Sequence, residues 1–125
     1  MNLIIGGAYQ GKLDFAKNKF SLSDEQIFHC IDNLDIDFNF ICINHIENFV
    51  LYCIKNNLNA LEIFRANKPL WQDSILISND IFCGVVPISA EARAWREATG
   101  HLLAYLSQEA DTVTRIFCGL EQKLK

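Results

Sequence analysis

The stretch Gly6-Gly7-Ala8-Tyr9-Gln10-Gly11-Lys12, which directly follows the apolar run Leu3-Ile4-Ile5, decides the fold. Its G-x-x-x-x-G-K spacing is that of a phosphate-binding P-loop, and a strand before it with a helix after it is the context that such a loop requires. In a P-loop, backbone N–H groups turn inward around a phosphate, and the helix N-terminus adds a favourable dipole. The sequence therefore predicts that a nucleotide contacts Gly6, Gly7, Ala8, Tyr9, Gln10, Gly11, Lys12 and Leu13.

Lys12 is the residue predicted to act in catalysis, because its mobile positive charge would reach the β- and γ-phosphates. A simple cation at a helix start is the alternative interpretation, and the surrounding motif favours phosphate contact. The hydroxyl residue that normally follows this lysine and binds Mg²⁺ is replaced by Leu13. The sequence thus predicts a phosphate site and assigns no residue to a metal.

Composition limits the function classes that remain open. The chain has 125 residues, half of them hydrophobic, and is predicted to form a single domain over 1–125. A net charge of −4 argues against non-specific nucleic-acid binding, which needs clustered Lys and Arg. Apolar runs such as Phe40-Ile41-Cys42-Ile43 are too short to span a bilayer, and no signal peptide is recognised. We expect a cytoplasmic protein.

The pattern of the five cysteines also favours a cytoplasmic protein. They include no C-x-x-C pair, and four of the five lie in or beside apolar runs, as buried reduced thiols do. A zinc site needs paired spacings that are absent from this sequence.

Apolar runs alternate with helical patterns along the chain, which predicts an α/β fold with a mostly parallel sheet. The predicted strands are Leu3–Ile5, Gln26–Ile31, Phe38–Ile43, Ser74–Ser78 and Thr112–Cys118. The predicted helices are Lys12–Lys19, His45–Asn56, Asn59–Ala66 and Ser89–Glu109. The last of these has a serine cap and a continuous apolar stripe.

The C-terminal third carries several further motifs. They are Ile77-Ser78-Asn79-Asp80, Gly84-Val85-Val86-Pro87, Ala92-Arg93-Ala94-Trp95-Arg96-Glu97, Ala110-Asp111-x-Val113, Cys118-Gly119-Leu120 and Lys123-Leu124-Lys125. Together with the P-loop, this combination resembles the adenosylcobinamide kinase/adenosylcobinamide-phosphate guanylyltransferase family of cobalamin biosynthesis. The motifs cover about half of the chain and are far more specific than a P-loop alone.

The resemblance implies a RecA-like P-loop nucleoside triphosphate hydrolase fold, with ATP or GTP as donor and a cobinamide hydroxyl as phosphoryl acceptor. It also implies a second activity in which a histidine after the second strand becomes guanylylated, and it implies a homotrimer.

The chain departs from the family pattern beyond Leu13. The family has an acidic residue at the end of the third strand, where this chain has Asn44. The segment that carries the guanylylated histidine is missing, since only the acidic connection Asp32 to Asn39 joins the second and third strands. Neither His29 nor His45 takes that histidine's place. Glu47 is a possible replacement metal ligand, although the helical pattern favours a solvated carboxylate.

Three polar residues of the C-terminal half complete the candidate site. Asn79, with Asp80, ends a predicted parallel strand at the edge where ligands bind in open α/β sheets, which favours a site role over a turn. Arg93 and Arg96 are three residues apart on one predicted helix and share a face. They would contact a nucleotide phosphate or a neighbouring subunit, or else form surface salt bridges with Glu91 or Glu97.

Two functions lead at this point, beside a third in which the chain is a structural protein that kept the fold and lost all ligands. One is a shortened kinase that phosphorylates a cobinamide-type substrate with ATP or GTP and has reduced activity. The other is a non-catalytic relative that binds nucleotide or corrinoid and regulates another enzyme. Family resemblance favours the first, and the missing metal ligands favour the second.

Overall fold

The computed structural model of the chain describes residues 1–81 and 89–125. Six strands form one sheet in the order β2-β3-β4-β1-β5-β6. Their bounds are β1 Asn2–Gly6, β2 Ile27–His29, β3 Cys42–Asn44, β4 Ile75–Asn79, β5 Thr112–Phe117 and β6 Leu120–Lys123. The first five are parallel, and β6 pairs antiparallel with β5. The predicted mostly parallel sheet flanked by helices is confirmed.

Five helices accompany the sheet in the described residues. They are α1 Lys12–Phe20, α2 Ile46–Lys55, α3 Ala60–Ala66, α4 Lys68–Trp71 and α5 Ala90–Glu109. The side chain of Ser89 accepts a hydrogen bond from the backbone N–H of Ala92 at 3.0 Å, so the predicted cap of the last helix is present. None of the helices among the described residues combines the length and the apolar character needed to cross a membrane.

Alternating strand residues bury two different cores on the two faces of the sheet. Leu3, Ile43 and Leu76 belong to the larger core, which also takes buried side chains from α2, α3 and α5. Ile4, Cys42 and Ile77 belong to the smaller core, which α1 covers through Ala16. Because both faces are covered, the strands are continuously apolar, as is typical of parallel sheets.

The predicted third strand over Phe38–Ile43 is wrong in its position. The observed strand is Cys42–Asn44, and residues 38 to 41 form turns and bends instead. Asp37 accepts a hydrogen bond from the backbone N–H of Asn39 at 2.9 Å, which stabilises a turn at this point. Phe38 still packs edge-on against Phe64, with ring centroids 5.2 Å apart. The apolar residues at 38–41 that looked like a strand in the sequence therefore belong to a loop, and the Phe38 side chain packs against the core from that loop.

The second predicted strand, Gln26–Ile31, is shorter in the structure. Three elements were not predicted, namely a 3₁₀ turn at Asp24–Gln26, the helix α4 and the strand β6. The short helix α4 contains Pro69, and β6 begins directly after a two-residue turn. Both turn residues, Cys118 and Gly119, have positive φ, at 50° and 76°, which suits a tight antiparallel hairpin.

Three of the cysteines, Cys30, Cys42 and Cys53, are free and buried, as expected of reduced thiols. Burial raises the pKa of each to about 12. Cys118 is exposed at the hairpin turn, and Cys83 lies outside the described residues.

We predict that Gly6→Ala destabilises the fold. A Cβ at this position would lie 2.5 Å from the backbone oxygen of Ile116 on the neighbouring strand, so the two strands would have to separate. Overpacking of this kind costs about 1–3 kcal/mol, measured as the free energy of unfolding in urea.

Gly7→Ala is the matched control, because its added Cβ would meet only the side chain of Gln10 at an ordinary 3.6 Å. Its unfolding free energy should change by less than about 0.5 kcal/mol. Equal stability of the two variants would contradict the close approach at Gly6.

Candidate functional site

The loop that the sequence predicts to bind phosphate connects the end of β1 to the start of α1. Gly11 lies at the N-cap of α1 with φ +90°, a left-handed conformation that glycine adopts without strain. Its carbonyl accepts the first helical hydrogen bond, from the N–H of Phe15, at 3.0 Å. Tyr9 also has a positive φ, of 60°, and its side chain is fully exposed. The loop therefore brings its backbone to the N-terminus of a helix, where anions bind.

Gln10 fixes this loop to the far edge of the sheet. Its side-chain oxygen accepts a hydrogen bond from the N–H of Cys118 at 2.5 Å, and its carbonyl accepts one from the N–H of Gly119 at 2.9 Å. On the other side, the carbonyl of Gly6 accepts a hydrogen bond from the N–H of Asp80 at 3.0 Å. The loop is thus held by both neighbouring strand ends.

A cleft of about 560 Å³ opens beside the loop at the carboxyl edge of the sheet, where open α/β sheets bind ligands. Its described lining comes from the loop, the first turn of α1 and the ends of β3 and β4. The lining residues are Ala8, Tyr9, Gln10, Gly11, Lys12, Leu13, Asp14, Asn44, His45 and Asn79.

Lys12 lies inside this cleft with only 7 % of its surface exposed. Its ammonium donates a hydrogen bond to the carbonyl of Gly7 at 2.5 Å, within the loop itself. Burial lowers the pKa of Lys12, and the negative charges of Glu47 and Asp80 oppose that shift. A phosphate in the loop would supply the negative charge that this desolvated cation lacks.

Glu47 is buried, with 3 % of its surface exposed, so the expectation of a solvated helix-face carboxylate is wrong. One carboxylate oxygen accepts a hydrogen bond from the N–H of Asn79 at 2.9 Å, and the other lies 2.9 Å from Nδ1 of His45. The indole N–H of Trp95 donates to the Glu47 carbonyl at 2.6 Å. The start of α2 places Glu47 between β3 and β4, and its surroundings there are polar.

The residues at the two expected metal positions do not fit a Mg²⁺ held by the protein. Leu13 offers no oxygen and packs partly against the smaller core. The Asn44 side chain is buried and its amide lies 3.0 Å from Nδ1 of His29. Both oxygens of Glu47 have protein partners. Within residues 1–81 and 89–125, no group of three or more His, Cys, Asp or Glu side chains is placed to bind a metal ion.

The structure brings most of the predicted nucleotide residues together. Of the residues outside the loop, Asn79 lines the cleft, and its buried Oδ1 has no hydrogen-bond partner in the described part of the chain. Arg93 and Arg96 lie in the first half of α5 and are not part of the described lining. The predicted Gly84-Val85-Val86-Pro87 motif lies outside the described residues.

His45 and Asp14 are lining residues that the sequence did not assign to the site, and His45 is the one with catalytic chemistry of its own. The sequence feature that could have identified His45 is its position directly after β3, because β3 ends at the same edge of the sheet as β1. That signal was weak because the predicted strand was placed too early in the chain.

Comparison with known protein families gives a match for the part of the chain that follows the loop and the first helix. Residues 42–124 match the family described as cobinamide kinase / cobinamide phosphate guanyltransferase. The matched range covers about two thirds of the chain and begins at β3. No curated protein matches the chain.

We predict that Lys12→Met weakens nucleotide binding without lowering stability. A charge-assisted hydrogen bond to phosphate contributes about 1.5–3 kcal/mol, so the dissociation constant for ATP or GTP should rise about 10- to 100-fold in calorimetric titration. The thermal midpoint should stay the same or rise, because a partly desolvated charge is removed.

Lys17→Met is the matched control on the same helix, since Lys17 pairs with Asp24 outside the cleft at 2.6 Å. It should leave affinity unchanged. Unaltered affinity in Lys12→Met, or a fall of its midpoint by more than about 4 °C, would contradict the prediction.

Proposed function

Because the chain belongs to the cobinamide kinase / cobinamide phosphate guanyltransferase family, we propose that it is a nucleotide-dependent adenosylcobinamide kinase that lacks guanylyltransferase activity. The observation that supports the kinase half is the cleft in which the P-loop, Lys12 and the ends of β3 and β4 meet. A homotrimer, which the resemblance implies, and a cytoplasmic location, which the composition and the cysteines favour, are part of the same proposal.

In this proposal ATP or GTP binds with its terminal phosphates in the loop between β1 and α1. Backbone N–H groups and the Lys12 ammonium bind the phosphate oxygens, and the N-terminus of α1 adds its dipole. The cobinamide hydroxyl attacks the γ-phosphorus, the bond to the bridging oxygen breaks, and the nucleoside diphosphate leaves. Positioning and electrostatic stabilisation account for nearly all catalysis in such transfers.

Turnover is expected to be slow. Mg²⁺ normally neutralises much of the charge that develops during phosphoryl transfer. Leu13 and the buried Asn44 offer no carboxylate or hydroxyl to hold this ion. The Lys12 ammonium, the backbone N–H groups of the loop and the dipole of α1 supply the stabilisation that remains.

The absence of guanylyltransferase activity follows from the connection between β2 and β3. Residues 30 to 41 contain no histidine, and the family's guanylylated histidine belongs in this part of the chain. His29, just before the connection, is engaged with the Asn44 amide. Burial is the main cause that lowers the pKa of His29, Lys17 adds to the shift and Asp24 opposes it.

A second candidate is a relative that binds nucleotide or corrinoid without catalysis and regulates another enzyme. The same two residues, Leu13 and Asn44, favour it. It differs from the first candidate in one measurable respect, which is the formation of phosphorylated product.

We predict that labelled γ-phosphate is transferred from ATP or GTP to adenosylcobinamide, at a rate well below that of a complete family member. With α-labelled GTP, no label should remain on the chain after denaturation, since the chemistry needs a nucleophilic imidazole that faces the α-phosphate. Thin-layer chromatography of the corrinoid and autoradiography of the denatured protein measure the two outcomes.

Lys12→Met is the control for background transfer. No corrinoid product from the unaltered chain would favour the non-catalytic candidate. Covalent guanylate retained on a histidine would contradict the loss of the second activity.

A further inference from the structure

His45 occupies a strained position directly between β3 and α2. Its backbone is left-handed, with φ 59° and ψ 48°, although it is not a glycine. Such conformations are strained for a residue with a Cβ and persist where the surroundings enforce them, often at functional sites. The side chain lines the nucleotide cleft and is 43 % exposed. A reactive group in this position is accessible to a bound substrate.

The buried carboxylate of Glu47 orients this imidazole. Oε2 of Glu47 lies 2.9 Å from Nδ1 of His45, while Oε1 accepts the N–H of Asn79 at 2.9 Å. A carboxylate only accepts hydrogen bonds, so the proton of the neutral imidazole is held on Nδ1. Nε2 then carries a lone pair, and no residue of the described chain forms a hydrogen bond with it.

A carboxylate bound to Nδ1 and a free Nε2 are the features of an imidazole that accepts a proton. Glu47 also stabilises the imidazolium that forms when Nε2 is protonated. His29 is a further titratable group whose charge interacts with that of His45, and Lys12 and Asp14 share the cleft.

We propose that His45 is the general base of the phosphoryl transfer and that Glu47 is its positioning residue. This inference rests on the proposed kinase function and assigns a residue to it. As the cobinamide hydroxyl oxygen bonds to the γ-phosphorus, its proton passes to Nε2 of His45, and the nucleoside diphosphate leaves. The proton returns to water after the products dissociate.

The test compares the unaltered chain with three variants in steady-state kinase assays with ATP and adenosylcobinamide. His45→Asn removes the base with a residue that tolerates left-handed backbone, and His45→Gly leaves room for added imidazole. Glu47→Gln preserves the shape, and its amide would donate to Nδ1 and so move the imidazole proton to Nε2. His101→Asn, on the exposed side of α5, is the matched control.

We expect His45→Asn and His45→Gly to lower kcat about 10²- to 10⁴-fold, the usual contribution of a general base, with KM for ATP within about threefold. Imidazole should restore part of the activity of His45→Gly and none of that of Lys12→Met. Glu47→Gln should lower kcat at least about tenfold, and His101→Asn should leave it unchanged.

Long-range ¹H–¹⁵N spectra provide a readout that does not depend on turnover. With only three histidines, the His45 signals can be assigned by substitution. The unaltered chain should show Nδ1 protonated, and Glu47→Gln should show Nε2 protonated.

The experiments distinguish failure of the proposed kinase function from failure of the roles given to His45 and Glu47. No phosphorylated product from the unaltered chain overturns the proposed kinase and the base with it. Product formation with kcat of His45→Asn within about threefold of the unaltered value overturns the role of His45 alone. An Nε2-protonated tautomer in the unaltered chain overturns the positioning role of Glu47.

Discussion

The buried carboxylate of Glu47 connects the elements on which the site depends. It accepts the backbone N–H of Asn79 at the end of β4, holds the His45 imidazole after β3, and lowers the electrostatic cost of burying Lys12 on α1. Its own carbonyl accepts the Trp95 indole N–H from α5. A buried charge is tolerated only when it is hydrogen-bonded and paired, and these contacts meet that condition. The positions of His45 and of the end of β4 beside the cleft therefore depend on this side chain, whereas the contacts of Gln10 hold the loop.

The charges in the cleft fit an anion better than a protein-bound metal ion. Lys12 is partly desolvated and has a lowered pKa, and the loop backbone turns toward the N-terminus of α1. The two positions at which a P-loop protein usually has a hydroxyl and a carboxylate for Mg²⁺ are Leu13 and Asn44 here. Leu13 packs toward the core, and the Asn44 amide is hydrogen-bonded to His29. Backbone N–H groups bind phosphate without those metal ligands. A chain of this kind can therefore keep phosphate binding after it has lost Mg²⁺ binding.

The sequence predicted the parallel sheet and the loop because both follow from local patterns: continuous apolar strands, glycine spacing and a capped final helix. It misplaced β3, because Phe38 and Phe40 are apolar yet pack from a turn. It treated Glu47 as solvated, because helical periodicity does not reveal that β4 would bring a backbone N–H to that side chain. The pairing of His45 with Glu47 was missed for a local reason, since it accompanies a left-handed backbone at His45 that the sequence pattern does not reveal.

The most direct test of this account is calorimetric titration of ATP into the unaltered chain, with Mg²⁺ and with EDTA, beside the double variant Leu13→Ser/Asn44→Asp. The account predicts that the unaltered chain binds weakly with nearly the same dissociation constant in both conditions, and that the double variant gains affinity only with Mg²⁺. Binding by the unaltered chain that is lost in EDTA would contradict it, because some other residue would then hold the metal.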